Sequence, residues 1–184
     1  MATPHIMALC GSVRTGGFNK KLLDAAVAEA RAQGAEVDVV DPKVLAQLPI
    51  YDQDVEAQGW PALVKEQRDR LARANGLLIA SPEYNSSIPG GLKNLLDWVS
   101  RPPERLFQEK WVGLMGASPG VFGTARMQPH LRQVMSSVGA HVLPAQVHLP
   151  RSMDAFNADG SLKDEARRKE VSALVSSLVS KLKG

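Results

Sequence analysis

The chain has 184 residues, 44% of them hydrophobic and 22% charged, and a net charge of +3 at pH 7; we expect one globular domain, residues 1–184, with a sizeable core. It has no apolar run near the roughly 20 residues of a membrane span, no charged leader before its first apolar segment and no clustering of basic residues, so we expect a cytoplasmic protein without membrane or nucleic-acid partners. Its single cysteine, Cys10, excludes an intrachain disulfide and a CxxC metal site, and its four histidines lack metal-ligand spacing.

Apolar runs alternate with amphipathic stretches about five times along the chain. Short apolar runs predict strands over residues 6–10, 36–41, 77–80, 111–115 and 140–149, the last of them broken by Pro144. Periodic apolar residues predict helices over residues 18–33, 61–74, 89–99, 124–138 and 164–183. Residues 42–60 are long and mixed in composition, which indicates either a functional loop or an unrecognised short helix.

This alternation of strands and helices is typical of a three-layer α/β fold with a parallel sheet. Five strands and a glycine-rich first turn favour the flavodoxin-like strand order 2-1-3-4-5, whose switch point lies between strands one and three. The turns at 11–19 and 82–87 would then face each other across one crevice, with residues 118–123 beside them.

The first of these turns suits a phosphate group without a metal. The spacing from Gly11 to Gly16 resembles a P-loop, but Gly17 and Phe18 stand where an NTPase needs Lys and then Ser or Thr. The dinucleotide motif GxGxxG is also absent. Without these motifs, the loop still has polar side chains beside a helix N-terminus, where phosphate binds readily. These side chains are those of Ser12, Arg14 and Asn19.

The second turn lies in the most informative stretch of the chain, residues 76–98. A buried strand ends at Pro82, a polar loop follows, and Pro89 opens a helix at a position where proline is favoured. Free N–H groups, one aromatic ring and polar side chains in this loop suit a flat heterocycle with polar edges. The alternative is an ordinary connection between a strand and a helix.

With both turns considered, the chain resembles the NADPH-dependent FMN reductase family, flavodoxin-like reductases of quinones, azo dyes and chromate. The resemblance extends from Ile6 to the terminal helix. It depends on GSVR and FN within residues 11–19 and, more specifically, on SPEYNSSIPGGLKN at 81–94. It implies noncovalently bound FMN, NADPH or NADH as the donor, a small-molecule acceptor, and a homodimer or homotetramer with the flavin near a subunit interface.

The same resemblance assigns residues to the cofactor. It places Ser12, Arg14 and Asn19 at the phosphate, within the motif that also contains Gly17 and Phe18. It places Pro82, Glu83, Tyr84 and Asn85 along the isoalloxazine and ribityl groups, and Ser118 and Gly120 in a third contact loop. Two features depart from the family: Gly17 replaces a common serine, and the third loop has fewer glycines than usual.

The chemistry of a flavoprotein belongs to its cofactor, so we expect no catalytic side chain and no metal. Backbone N–H groups of residues 83–85 are expected to reach the flavin N5 and carbonyl edge. Tyr84 either walls the ring and shapes the acceptor pocket or packs under its loop. The expected function is hydride transfer from NAD(P)H through FMN to quinone, flavin, azo or metal-ion acceptors.

Three other functions are each compatible with part of the sequence. Gly116-Ala-Ser118-Pro-Gly120 fits the G-x-S-x-G motif of a serine hydrolase, but Pro119 has no N–H for an oxyanion, and no acid lies between Ser118 and His148. A flavodoxin-type electron carrier without its own NAD(P)H oxidation would share the fold, although such carriers are typically acidic. A flavin-free interaction domain is the third alternative.

Overall fold

The structure is a computed structural model and describes residues 3–184. Its centre is a parallel sheet with the strand order β2-β1-β3-β4-β5, which confirms the predicted flavodoxin-like topology. The strands are β1 (His5–Cys10), β2 (Glu36–Val39), β3 (Gly76–Ala80), β4 (Trp111–Ala117) and β5 (His141–Leu149).

Helices cover both faces of the sheet, because the longer ones present an apolar stripe to it. They are α1 (Phe18–Ala32), α2 (Val44–Gln47), α3 (Gln53–Gln58), α4 (Ala62–Arg73), α5 (Gly90–Val99), α6 (Met127–Ser137) and α7 (Glu165–Lys183). α1 and α7 pack on one face, and α2, α4, α5 and α6 pack on the other, so the sheet is buried between two apolar clusters. Within residues 3–184, no helix is both long and apolar enough to cross a membrane.

The structure refines three predictions. Residues 42–60 contain the short helices α2 and α3, which decides between the two alternatives for this segment. α6 begins at Met127 rather than near residue 124, because Thr124 has a left-handed backbone (φ 73°) that cannot continue a helix. β5 is one continuous strand rather than a broken one. Pro144 lies where the register of β5 against β4 shifts, a place in an edge strand where a residue without an N–H is tolerated.

Arginine side chains cover main-chain carbonyl groups of both edge strands. The Arg70 guanidinium donates to the Asp38 carboxylate and to the Val39 carbonyl oxygen of β2, the latter at 2.9 Å. On β5, Arg132 donates to the carbonyl oxygens of Val142 at 3.1 Å and Leu143 at 2.7 Å. These bonds occupy acceptors that an edge strand would otherwise offer to another chain.

Candidate functional site

Three segments meet at the carboxyl edge of the sheet: the first loop (residues 11–17), the second loop (81–89) and the third loop (118–126). The Gly11 N–H donates to the Ala80 carbonyl oxygen at 2.8 Å, which holds the first loop against the start of the second. A Cβ atom at Gly11 would lie 2.4 Å from Ser81 Oγ, so only glycine permits this approach. The two predicted crevice loops therefore do lie side by side.

The first loop leaves the N-terminus of α1 open. The N-cap residue, Gly17, provides no side-chain cap, and the first turn of α1 contains no acidic residue. Ser12 is buried, and its Oγ accepts the Arg14 N–H at 3.3 Å, which leaves the hydroxyl proton available for donation. The exposed guanidinium of Arg14 lies 5.7 Å from the centre of the Phe18 ring. This end of α1 offers donors and positive charge but no carboxylate, so its chemistry fits an anion.

Asn19 joins the start of α1 to the end of β4. Its side chain is buried, donates from Nδ2 to the Ala117 carbonyl oxygen at 2.9 Å, and accepts the Ala117 N–H at 2.8 Å. Both ends of the amide are therefore used to hold α1 against the end of β4. That Asn19 contacts the phosphate stays a prediction. Because both ends of its side-chain amide are already bonded, only the main-chain N–H of Asn19 could make this contact.

The second loop contains a tight turn that displays Tyr84. The N–H and C=O groups of Tyr84 and Ser87 bond to each other at 3.1 and 3.0 Å, and Asn85 and Ser86 have φ values of 49° and 63°. These positive angles are those of a type I′ turn. The Tyr84 side chain is 53% exposed. The N–H groups of Glu83 and Asn85 find no acceptor within residues 3–184, so they are available to a ligand.

Glu83 connects the second loop to α6. Its carboxylate accepts the N–H groups of Arg126 and Met127 at 2.9 and 3.0 Å and the Arg126 Nε–H at 2.9 Å. Burial alone would raise the pKa of Glu83, but the two backbone bonds and the guanidinium outweigh it and hold this pKa below its ordinary value. Glu83 thus caps α6 from another loop. The sequence signal was indirect: Arg126, at the N-cap, has no side chain suited to capping.

The third loop is packed closely at its root and exposed at its tip. A Cβ atom at Gly116 would lie 2.2 Å from Thr124 Oγ1 and 2.5 Å from the Ser81 carbonyl oxygen, so glycine is required there. Ser118 is half-buried and Gly120 is exposed, while Val121 and Phe122 at the tip are 62% and 59% exposed. An exposed apolar tip of this kind is typical of a binding surface.

The structure thus brings the predicted site residues to one edge of the sheet. Phe18 is half-buried, and its ring stacks on Phe156 with ring centres 6.3 Å apart. Pro82 is buried at the root of the second loop. No group of side chains within residues 3–184 has the composition of a metal site. The donors of the first loop fit a phosphate monoester, and the free N–H groups of the second fit the polar edge of a flavin.

Comparison with known proteins identifies the family. Residues 4–154 match the family described as NADPH-dependent FMN reductase. The chain belongs to this family. It is accordingly an oxidoreductase of the FMN reductase type that depends on NAD(P)H, as the two sequence motifs predicted.

Individual relatives extend over most of this FMN reductase chain. An NAD(P)H-dependent FMN reductase of Pseudomonas aeruginosa is 39% identical over 164 residues, covering 89% of this chain and 86% of its own. An NAD(P)H:quinone oxidoreductase of Solanum tuberosum is 36% identical over 188 residues, covering 97% and 94%. The structure of FerB, a flavoenzyme NAD(P)H:(acceptor) oxidoreductase of Paracoccus denitrificans, superposes with a TM-score of 0.88 at 29% identity and covers 98% of both chains.

Proposed function

We propose that this protein oxidises NAD(P)H with FMN bound at the three loops and passes the electrons to a small acceptor, a quinone first among them. The observation that carries the proposal is the convergence, at one edge of the sheet, of an uncapped helix N-terminus and a neighbouring loop with free N–H groups. A phosphate and a flat heterocycle could occupy these two places together, as FMN requires.

The first loop would bind the phosphate. The open N–H groups at the start of α1 donate along the helix dipole, the Ser12 hydroxyl adds a neutral donor, and Arg14 adds a permanent charge. Gly17 lacks the hydroxyl group that is common at this position in the family, so the main chain and Arg14 carry a larger share of the binding here.

The second and third loops would hold the ring. The N–H groups of Glu83 and Asn85 lie on the segment that the resemblance assigns to the flavin N5 and carbonyl edge, and Tyr84 is exposed beside them as a wall. Bound FMN supplies the acceptance of a hydride and its release as electrons. The residues of the chain position the ring, exclude water from one of its faces and need not supply a proton themselves.

The names of the relatives support a quinone as the acceptor. The plant relative is named for quinone reduction, and a relative from Escherichia coli, 39% identical over 140 residues, is named quinone reductase. Free flavins, azo dyes and metal ions such as chromate are further acceptors that the resemblance implies. All of them would meet the same exposed ring.

The decisive experiment is the visible spectrum of the purified protein. We expect a yellow protein whose flavin absorption bleaches when NADPH or NADH is added without air, and returns on addition of a quinone. A flavodoxin-type electron carrier would be yellow but would bleach only in the presence of a separate reductase. A protein that stays colourless after incubation with FMN would be a flavin-free interaction domain and would contradict the proposal.

Assembly and location are part of the same proposal. Tyr84, Phe122 and Met153 expose apolar side chains around this edge of the sheet, which supports burial against a second copy in a homodimer or homotetramer. Light scattering on the purified protein would measure its mass, and a monomer would contradict this part. A cytoplasmic location is proposed as well, and cell fractionation would test it.

A further inference from the structure

A cleft adjoins the third loop on the side away from the second. It lies between the tip of the third loop, the segment that follows β5, and the start of α7, and its volume is about 440 Å³. This volume is sufficient for part of a small organic ligand. Among the lining residues are Val121, Arg151, Asp154, Lys163, Asp164 and Arg167.

Charged side chains of both signs line the cleft, and three of them have no bonding partner in the described part of the chain. The side chains of Arg151, Lys163 and Asp154 have no hydrogen bond or ion pair within residues 3–184. Arg167 is paired with Glu170 at 2.7 Å, and Asp164 accepts the Ala166 N–H at 2.8 Å as the cap of α7. Two free cationic groups and one free carboxylate therefore remain for a ligand.

The cleft is tied directly to the proposed flavin site. The Arg151 N–H donates to the Gly120 carbonyl oxygen, and the Ser152 N–H donates to that of Ser118, both at 3.1 Å. Arg151 is held in a left-handed conformation with φ of 47°. Among the lining residues, Val121, 62% exposed, forms an apolar ledge beside the charged groups.

We propose that this cleft binds the adenosine end of the nicotinamide donor and sets its choice between NADPH and NADH. Arg151 and Lys163 would bind the 2′-phosphate of NADPH. Asp154 would accept a hydrogen bond from the ribose 2′-hydroxyl of NADH. In both cases the adenine would lie on the apolar ledge. Arginine suits a 2′-phosphate, and a carboxylate suits a free 2′-hydroxyl. The inference rests on the proposed function, because the nicotinamide must lie on the flavin for its other end to reach this cleft.

Opposite substitutions in the cleft should move donor preference in opposite directions. Arg151→Gln and Lys163→Gln should each lower kcat/KM for NADPH about tenfold, the loss of one charge-assisted bond, with little change for NADH. Asp154→Asn should raise the ratio of NADPH to NADH efficiency. Lys169→Gln, on α7 outside the lining of the cleft, removes the same charge and should leave the ratio unchanged.

Binding of a nucleotide fragment gives a second readout that needs no turnover. We expect 2′,5′-ADP to bind more tightly than 5′-AMP by calorimetry, and Arg151→Gln and Lys163→Gln to abolish that difference. Equal effects on both donors, or an unchanged ratio in all three cleft variants, would overturn the inference. Flavin content and melting temperature show whether each variant is folded. Failure of the wild-type protein to oxidise either donor would refute the proposed function itself, which is a separate result.

Discussion

Helices α1 and α6 both begin at the carboxyl edge of the sheet, yet only the N-terminus of α6 is capped by a side chain. The N-terminus of α1 receives no side-chain cap and has no acidic residue in its first turn. The N-terminus of α6 is filled by the Glu83 carboxylate, which reaches it from the second loop. The same positive end of a helix is therefore left open in one place and neutralised in the other.

The two helix ends therefore suit different roles, ligand binding at α1 and structural support at α6. An open helix end attracts an anionic ligand, and we assign that role to α1. A capped end stabilises its own helix, and in α6 the cap also fixes the second loop against the third. Substitutions at the two helix ends and at the residues beside them test this distinction.

Adding a carboxylate at the open end of α1 should strongly weaken cofactor binding. We expect Gly17→Asp to weaken FMN binding by at least about 100-fold, because a carboxylate at this N-cap repels the phosphate. The same substitution should leave the melting temperature of the cofactor-free protein unchanged or raised, since aspartate is a good N-cap. Gly17 has φ of −65°, which any residue can adopt. Fluorescence titration with FMN gives the dissociation constant.

Gly17→Ser is the matched control. It adds a capping side chain and a Cβ in the same position, 3.2 Å from the Arg14 carbonyl oxygen, but no charge. We expect its affinity for FMN to equal or exceed that of the wild type. Equal affinities of the aspartate and serine variants would show that the phosphate binds elsewhere.

Removing the Asn19 bridge between α1 and β4 should lower the stability the most. Asn19→Ala leaves the buried N–H and C=O groups of Ala117 without partners, and we expect it to lower the free energy of unfolding by about 2–4 kcal/mol. Urea denaturation measures this change. The adjacent Lys20→Ala breaks only a surface pair with Asp24 and should change the free energy by less than about 0.5 kcal/mol. Similar values for the two variants would rule out the bridging role.

Opening the capped end should have a moderate effect. We expect Glu83→Ala to lower the free energy of unfolding by about 1–2 kcal/mol, with a smaller loss for Glu83→Gln, which keeps an acceptor oxygen. The exposed carboxylate of Glu109, paired with His141, offers a control in Glu109→Gln. A Glu83→Ala protein as stable as this control would show that the cap contributes nothing.

The Glu83 cap should also depend on pH. Its folded pKa lies below the ordinary value of 4.5, so its contribution is complete above that pH and is lost as the pH falls through the lower folded value. The stability gap between the wild type and Glu83→Gln should therefore be constant near neutrality and narrow below about pH 4.5. Denaturation of both proteins at pH 7 and pH 3.5 compares the two gaps, and an equal gap at both values would contradict the assignment.

Tyr84 should affect binding without affecting stability. Its side chain is 53% exposed, so Tyr84→Ala should change the free energy of unfolding by less than about 0.5 kcal/mol. Loss of an aromatic wall should weaken FMN binding or slow turnover about 3–10-fold. Tyr84→Phe keeps the ring and should behave as the wild type. Unchanged FMN affinity and turnover in Tyr84→Ala would assign the ring to packing alone.

The sheet and the larger helices could be predicted because their sequences carry strong local patterns. Uninterrupted apolar runs such as that of β3 identified the buried strands, and the period of α5 identified its inner face. Helices α2 and α3, with four and six residues, are too short to show a period. The late start of α6 depends on the backbone of Thr124, which no propensity predicts.

The site was predictable as a set of loops but not as a set of bonds. Glycine-rich and polar turns at the ends of strands marked the three loops correctly. The partners of Asn19 and Glu83 lie 98 and 43 residues away in sequence, so their bonds follow only from the folded arrangement of the strands. Two residues that the motif suggests as ligands therefore hold the loops in place with their side chains.

The arginine bonds at β2 and β5 have a consequence for how copies of this protein can meet. With carbonyl groups of both outer strands engaged, and Pro144 interrupting the ladder of β5, neither border of the sheet invites strand addition. Any association between copies would then use helical surfaces or the loops around the crevice. A cofactor-depleted preparation should accordingly be free of fibrils grown by strand addition.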